Sequence, residues 1–264
     1  MDIGRACLNF YRNAQKIIAP SLKYSQTIYE EFLFSHSNNV SKWLDLGCGH
    51  QLLPPWRLDQ ERSLAARPHL LLGLDYDYNS LRNHKTIKHL IRGDISRLPF
   101  PSETFDLVTS NMVFEHLSDP ESQLSEILRV LKPSGSLVFH TPNSISYGTI
   151  LAKATPETLK AEVIWFLQHR KEEDVFPTYY RVNTERTIRK LAERVGFKVA
   201  KLRLIVSSAE FVMIPPLVIV ELLLIRLLMM PFARRFRTYI IAVLTKPNKG
   251  IHADRVQPSA SGSR

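Results

Sequence analysis

The stretch WLDLGCGHQLLPPW, residues 43–56, places an acid, Asp45, at the end of an apolar run and follows it with two glycines, Gly47 and Gly49. Glycine suits tight turns and close approach of backbone to a ligand. A strand ending in such a turn, KWLDL here, ends at something it holds. Backbone N–H groups of the turn, set at the start of a following helix, favour a negative group, and a carboxylate or a phosphate satisfies them equally. A plain strand–helix turn also explains a glycine pair.

Outward from this stretch, short apolar runs recur: LLLGLD, HLIRGD, FDLVTSN and GSLVFHT, each followed by a turn. Rich in Leu and Val with little alternation, they read as strands buried on both faces. Helices fall between them. In DPESQLSEILRVLKPSG, Asp119 caps, Pro120 takes the first helical position, and Leu124, Ile127, Leu128 and Leu131 form a stripe. In NTERTIRKLAERVGF, Thr184 caps, Ile188, Leu191 and Val195 face inward, and Gly196 stops the helix. SLKYSQTIYEEFLFSH reads as an earlier helix capped by Ser21, and TYIIAVLTKP as the last strand. Alternating strands and helices give an α/β fold with a mostly parallel sheet covered on both faces. Ligands of such sheets bind outside the carboxyl ends of the strands.

The chain has 264 residues, 44% of them hydrophobic, enough for one sizeable core. We read a single domain over 1–247, with an N-terminal helical cap at 1–40, a substrate-side insertion at 146–183 and an apolar insertion at 207–237. The polar tail 248–264 reads as disordered. The net charge of +10 points to an acidic partner, whether anionic lipid, nucleic acid or a phosphorylated metabolite. No basic stripe interleaved with aromatics appears, which argues against nucleic acid. The two cysteines make no disulfide framework, and the N-terminus has no signal-peptide core, so the expected compartment is a reducing cytoplasm. No metal site is expected, since His84 and His89 do not share a helix face.

The second strand ends at Asp75, where a carboxylate accepts from both hydroxyls of a ribose. The third ends at Asp94, where one accepts from an exocyclic amine such as adenine's. Either acid alone also reads as a loop acid or helix cap. Together with the glycine turn, these strand ends carry a resemblance. LDLGCG, GLDYD, GDISRLPFPSETFDLVTSNMVFEHL and LKPSGSLVFHTPN resemble the successive motifs of class I S-adenosylmethionine-dependent methyltransferases, over roughly residues 40–206. The subgroup that looks most similar holds quinone-biosynthesis and small-molecule methyltransferases.

The resemblance implies a Rossmann-like sheet of seven strands, the last antiparallel, and S-adenosyl-L-methionine as cofactor. It implies that Gly47 and Gly49 line the methionine end, with Asp45 and Cys48 in the same motif. Asp75 would hold the ribose, with Tyr76 next to it, and Asp94 and the backbone of Ile95 the adenine. Asn111 and Met112 would lie beside the cofactor, facing the substrate. Gln51 stands where the family often has a third glycine, and the crossover LLPPWRLDQERSLAARPH is unusual, so a standard loop shape is not expected. A dinucleotide fingerprint would need glycine at Leu52.

Methyl transfer is an in-line displacement that needs alignment, and a protonated nucleophile needs a base. Glu115 and His116, just past the fourth strand, are the catalytic candidates. An unperturbed imidazole titrates near ~6.5. His116 alternatively packs in the next helix, and Glu115 alternatively contacts the cofactor's ammonium or the substrate. His140 and Asn143 are read as substrate contacts, with a base or a core residue as alternatives for His140. Tyr179, Tyr180 and Arg181 offer aromatic surface and a fixed cation on the substrate side. HRKEED reads as a solvated charge run.

FVMIPPLVIVELLLIRLLMMPFARRFR, residues 211–237, has the length of a membrane span. Against spanning stand the breaking Pro215 and Pro216, the charges Glu221 and Arg226, and a strand that must return to the sheet. The reading is a helix over 217–232 lying in an anionic membrane interface. Leu222, Ile225 and Met229 would enter the lipid, Arg226 would snorkel, and Arg234, Arg235 and Arg237 would meet headgroups. A homodimer contact and a lid over an apolar substrate are the alternatives. The expected activity is methyl transfer to an O, N or C nucleophile of a small or lipid-linked acceptor at the inner membrane face. The rivals are a soluble dimeric small-molecule or sugar methyltransferase and a non-catalytic cofactor-binding regulator.

Overall fold

The computed structural model describes residues 3–154 and 177–248. KWLDL forms β1 (Lys42–Leu46), with all but its first residue buried, as a run without alternation requires. β2 (Leu70–Asp75) and β4 (Phe105–Asn111) flank it in parallel, β3 (His89–Arg92) lies outside β2, and β5 (Leu131–Pro142) lies outside β4. β7 (Tyr239–Thr245) runs antiparallel between β5 and β6 (Lys198–Ile205). The seven-stranded order β3-β2-β1-β4-β5-β7-β6 is the expected mostly parallel sheet with the last strand reversed. Its switch point lies between β1 and β4, so a crevice opens at their carboxyl ends.

Helices cover both faces. On one, α2 (Ser25–His36), α3 (Leu58–Ala65) and α4 (Tyr78–Arg82) lay Tyr29, Phe32, Leu64 and Leu81 on Trp43, Leu107 and Val138. On the other, α5 (Pro120–Val130) and α7 (Glu185–Val195) bury Leu124, Ile127, Ile188 and Ala192 against Leu44, Phe105 and Phe139. The helix α6 (Tyr147–Ala154) follows β5. The caps form as the sequence indicates: Asp119 accepts from Ser122 N, Thr184 from Thr187 N, and Gly196 ends α7 at φ +100°. Ser21 is not a cap. α2 starts four residues later, and the Ser25 N–H donates at 3.0 Å to the Ser207 hydroxyl, so a distant residue meets an end that local sequence was expected to satisfy.

A third apolar cluster joins α1 (Ile3–Ile18) to α8 (Pro215–Met229), the helix of the apolar segment. Several expectations are corrected here. Pro215 and Pro216 begin this helix, since their missing N–H groups and fixed φ suit its first turn. Leu222 and Ile225 are fully buried and Met229 is half-buried, so the stripe read as lipid-facing packs within the protein, beside α1. Arg226 donates to the Ile18 carbonyl at 2.6 Å. Glu221 is buried and accepts from Tyr147 OH, Glu210 N and Phe211 N at 2.8–2.9 Å. Of the basic run, Arg237 binds the carbonyls of Leu204, Leu228 and Met229, and Arg234 pairs with Glu185 at 3.0 Å. The segment HRKEED, part of the proposed insertion at 146–183, and nearly all of the tail 248–264 lie outside the described residues.

Candidate active site

The loop after β1 holds Gly47 at φ +64° and Gly49 at φ +55°, both in the left-handed region. At Gly47 a Cβ would also sit 2.3 Å from Val113 Cγ2, so the residue is fixed twice over. At Gly49 a Cβ would meet nothing within 4 Å, which leaves the loop open on that side. The N–H groups of Gly47 and Cys48 donate to the Leu74 carbonyl, and that of Gly49 to Asp75 Oδ2 at 2.8 Å. Cys48 is buried, in the space where a Cβ on Gly73 would touch its sulfur. Only its backbone is offered to the crevice.

No helix begins behind this loop: α3 starts at Leu58, nine residues beyond Gly49. The expected helix N-terminus for a negative group is therefore absent. What surrounds the loop is acidic. Asp45 is buried and accepts from Thr109 Oγ1, which itself receives the Trp43 indole N–H at 2.7 Å. Burial pushes the Asp45 carboxyl up to about 7; Thr109 opposes this, and the charges of Glu61 and Asp75 add to it. Glu61 is buried as well, its Oε2 accepting from Leu53 N at 2.9 Å while Oε1 has no hydrogen-bond partner. This environment repels an anion and attracts a cation.

The ligand-facing acids follow. Asp75 Oδ1 accepts from Asp77 N at 2.8 Å, and each carboxylate oxygen keeps a second lone pair for a diol. Tyr76 is exposed beside it, with the Arg92 guanidinium 5.7 Å from its ring centroid. Asp94 is exposed two residues past β3 and accepts from Ser96 N; Ile95 packs half-buried against the core.

At the end of β4, Asn111 exchanges amide hydrogen bonds with Gln26 of α2 at 2.9 and 3.3 Å. Met112 follows at φ +58°, an uncommon conformation for a side chain of its size, pinned by its N–H to the His140 carbonyl. His140 is fully buried, stacked on Tyr29 with Tyr239 tilted against it, and its Nδ1 lies 2.9 Å from Asn111 Oδ1. Burial drives its pKa down to about 3, so it stays neutral. Asn143 is likewise enclosed, and its amide donates to the carbonyls of Arg235 and Arg237. Both side chains thus lie inside the fold, holding neighbours, where direct substrate contact was expected.

Glu115 and His116 lie in a short 3₁₀ turn (Phe114–His116). This turn meets the segment carrying Tyr179, Tyr180 and Arg181. The Glu115 carbonyl accepts from Tyr179 N and Tyr180 N, His116 Nδ1 lies 2.8 Å from the Pro177 carbonyl, and Arg181 binds the Ser118 carbonyl. Glu115 is buried and accepts from Thr141 Oγ1 at 3.0 Å. A carbonyl only accepts, so His116 Nδ1 carries a proton and the neutral ring's lone pair sits on Nε2. Burial, then the Glu115 charge, raises the Tyr180 phenol. The candidates from the two segments thus form one wall. Sequence reading missed Gln26 and Glu61, because neither stands in a motif. Among the described residues no cluster of His, Cys, Asp or Glu could hold a metal.

Residues 44–139 match a family model described as a methyltransferase domain. The chain is 32% identical over 114 residues to a methyltransferase of Schizosaccharomyces pombe, covering 39% of this chain and 41% of that protein. It is 34% identical over 109 residues to a demethylmenaquinone methyltransferase of Staphylococcus haemolyticus, covering 39% and 44%. These matches thus span about two fifths of the relatives' own length. In fold alone it resembles a [4+2]-cyclase, SpnF, at TM-score 0.51 and 16% identity, over 83% of this chain and 80% of that one.

Proposed function

We propose, on the premise that this chain belongs to the class I S-adenosylmethionine-dependent methyltransferases, that it transfers a methyl group to an oxygen, nitrogen or carbon nucleophile of a small or lipid-linked acceptor. The observation that carries this reading is the acidic glycine loop. Asp45, Glu61 and Asp75 crowd negative charge around an open turn that lacks a helix N-terminus. That field suits a cofactor with a sulfonium and an ammonium, and it disfavours a pyrophosphate.

The bound cofactor supplies an electrophilic methyl group. Gly47 and Gly49 let the backbone approach it, Asp75 accepts from the ribose diol, and Asp94 with the Ile95 N–H faces the adenine. Asn111, held in orientation by Gln26 and His140, shapes the floor with Met112. His116, whose Nδ1 is held by the Pro177 carbonyl, takes a proton from the nucleophile. Glu115 holds the turn beside it. Tyr179, Tyr180 and Arg181 border the acceptor. The exposed apolar side chains of α8 support a lipid-linked acceptor met at the cytoplasmic membrane face. A demethylmenaquinone methyltransferase among the relatives accords with this class.

The same fold in a [4+2]-cyclase means that fold does not assign the reaction. Incubation with methyl-labelled cofactor and either a membrane lipid extract or a water-soluble metabolite extract tests it. Label should appear in the lipid fraction. Cofactor binding with no transfer to either extract would make the protein a non-catalytic binder.

A further inference from the structure

At the β6 edge of the sheet a cleft of about 350 Å³ opens between the residues leading into α2, β6 and the last turn of α8. Its floor is apolar, with Leu22, Ile28, Val206 and Met229. Its rim is cationic. Lys23, Arg203 and Arg237 face one acid, Glu31, which Lys23 pairs at 2.8 Å. Arg203 and Arg237 have no ion-pair partner among the described residues. Arg203 lies beside a further cation, Lys201; both sit over the Phe32 ring, 6.0 and 4.8 Å from its centroid. Burial, followed by the like charges of Arg234 and Arg203, lowers the pKa of the Arg237 guanidinium. Arg237 is held by the carbonyls of Leu204, Leu228 and Met229, and the cleft rim keeps an excess of positive charge.

Directly beyond Met229 the chain exposes Met230, Phe232 and Phe236, with Phe232 73% exposed. The outward stripe of α8, Val220, Leu223 and Leu227, is also bare. Glu221 is the only acid from Pro215 to Phe236, and it is buried. Apolar surface and unpaired cations thus meet at the end of α8. Pairing this face with a second copy would set like charges together, whereas an anionic bilayer complements both features.

We propose that the cleft between α2, β6 and the end of α8 seats the phosphate head of an anionic lipid while Phe232 and its apolar neighbours enter the bilayer. This replaces the lipid-facing stripe Leu222, Ile225 and Met229 with the opposite side of the helix. It goes beyond the methyl-transfer reading and uses none of its catalytic residues, so vesicle binding and turnover succeed or fail separately.

Full-length protein should sediment with phosphatidylglycerol-containing vesicles about tenfold more strongly than with phosphatidylcholine alone, and less at high salt. Arg203→Gln and Phe232→Ser, both at exposed side chains, should each weaken binding about fivefold, as expected for one charge or one inserted side chain near the surface. Circular dichroism and the melting temperature should stay at the native values. Equal binding to both vesicle types, or an unaffected Arg203→Gln, would overturn the proposal. Inorganic phosphate that binds the protein in an Arg203-dependent way, with no vesicle binding, would assign the cleft to a soluble ligand instead. A dimer dissolved by Phe232→Ser, again without vesicle binding, would assign the face to a second copy.

Discussion

Binding of the cationic cofactor should expel a proton from Asp45. Burial, with the charges of Glu61 and Asp75, holds this carboxyl at about 7. At about pH 6 such a group is roughly nine-tenths protonated, and at about pH 8 roughly one-tenth. A sulfonium and an ammonium placed beside it favour the carboxylate. If the bound pKa returns towards the ordinary ~3.9, binding releases about 0.9 proton at pH 6 and about 0.1 at pH 8. Affinity then follows the ionised fraction and rises about tenfold across that interval, ~1.4 kcal/mol. The sign for the free protein is opposite. The folded pKa is raised, so Asp45 contributes stability in full below about pH 4, and that contribution is lost as pH rises through about 7. Calorimetric titration at about pH 6, in two buffers of different ionisation enthalpy, counts the proton directly. S-adenosylhomocysteine, without the sulfonium charge, should release less, and Asp45→Asn should release none. Equal heats in both buffers, or undiminished release from Asp45→Asn, would refute the acidic-pocket argument.

Asp75→Ala removes the acceptor for the ribose diol, worth on the order of 1.5–3 kcal/mol per charge-assisted bond, so S-adenosylhomocysteine should bind at least about tenfold more weakly. Unchanged affinity in a folded variant would reassign Asp75 to holding Gly49. His116→Asn should lower turnover by about a hundredfold while cofactor affinity persists, and native turnover would return His116 to bracing Pro177. Leu222→Ser and Ile225→Ser, both fully buried, should each cost about 2–5 kcal/mol in urea unfolding. A native midpoint would show that the inner face of α8 is not packed as described.

The central strands β1, β4, β5 and β7 were legible because most of their residues are buried, which local composition encodes, whereas the largely exposed edge strand β6 was not read as a strand. The capping residues Asp119, Thr184 and Gly196 were legible for a similar reason, since a cap bonds the backbone two or three residues away. Asp45, Gly47, Gly49, Asp75 and Asp94 fall at strand ends, so finding the strands also placed them. Three features needed the tertiary structure. A chain of net charge +10 surrounds its glycine loop with acids, because net charge is a sum and a field is local; Glu61 reaches that loop only through the crossover fold. The wall of Glu115, His116 and Tyr179–Arg181 joins segments about sixty residues apart through backbone carbonyls, which have no sequence signature. The inner side of α8 was unreadable because that helix is apolar all round. Only the N–H and hydroxyl groups brought to its one acid by Glu210, Phe211 and Tyr147 make the burial of that acid tolerable.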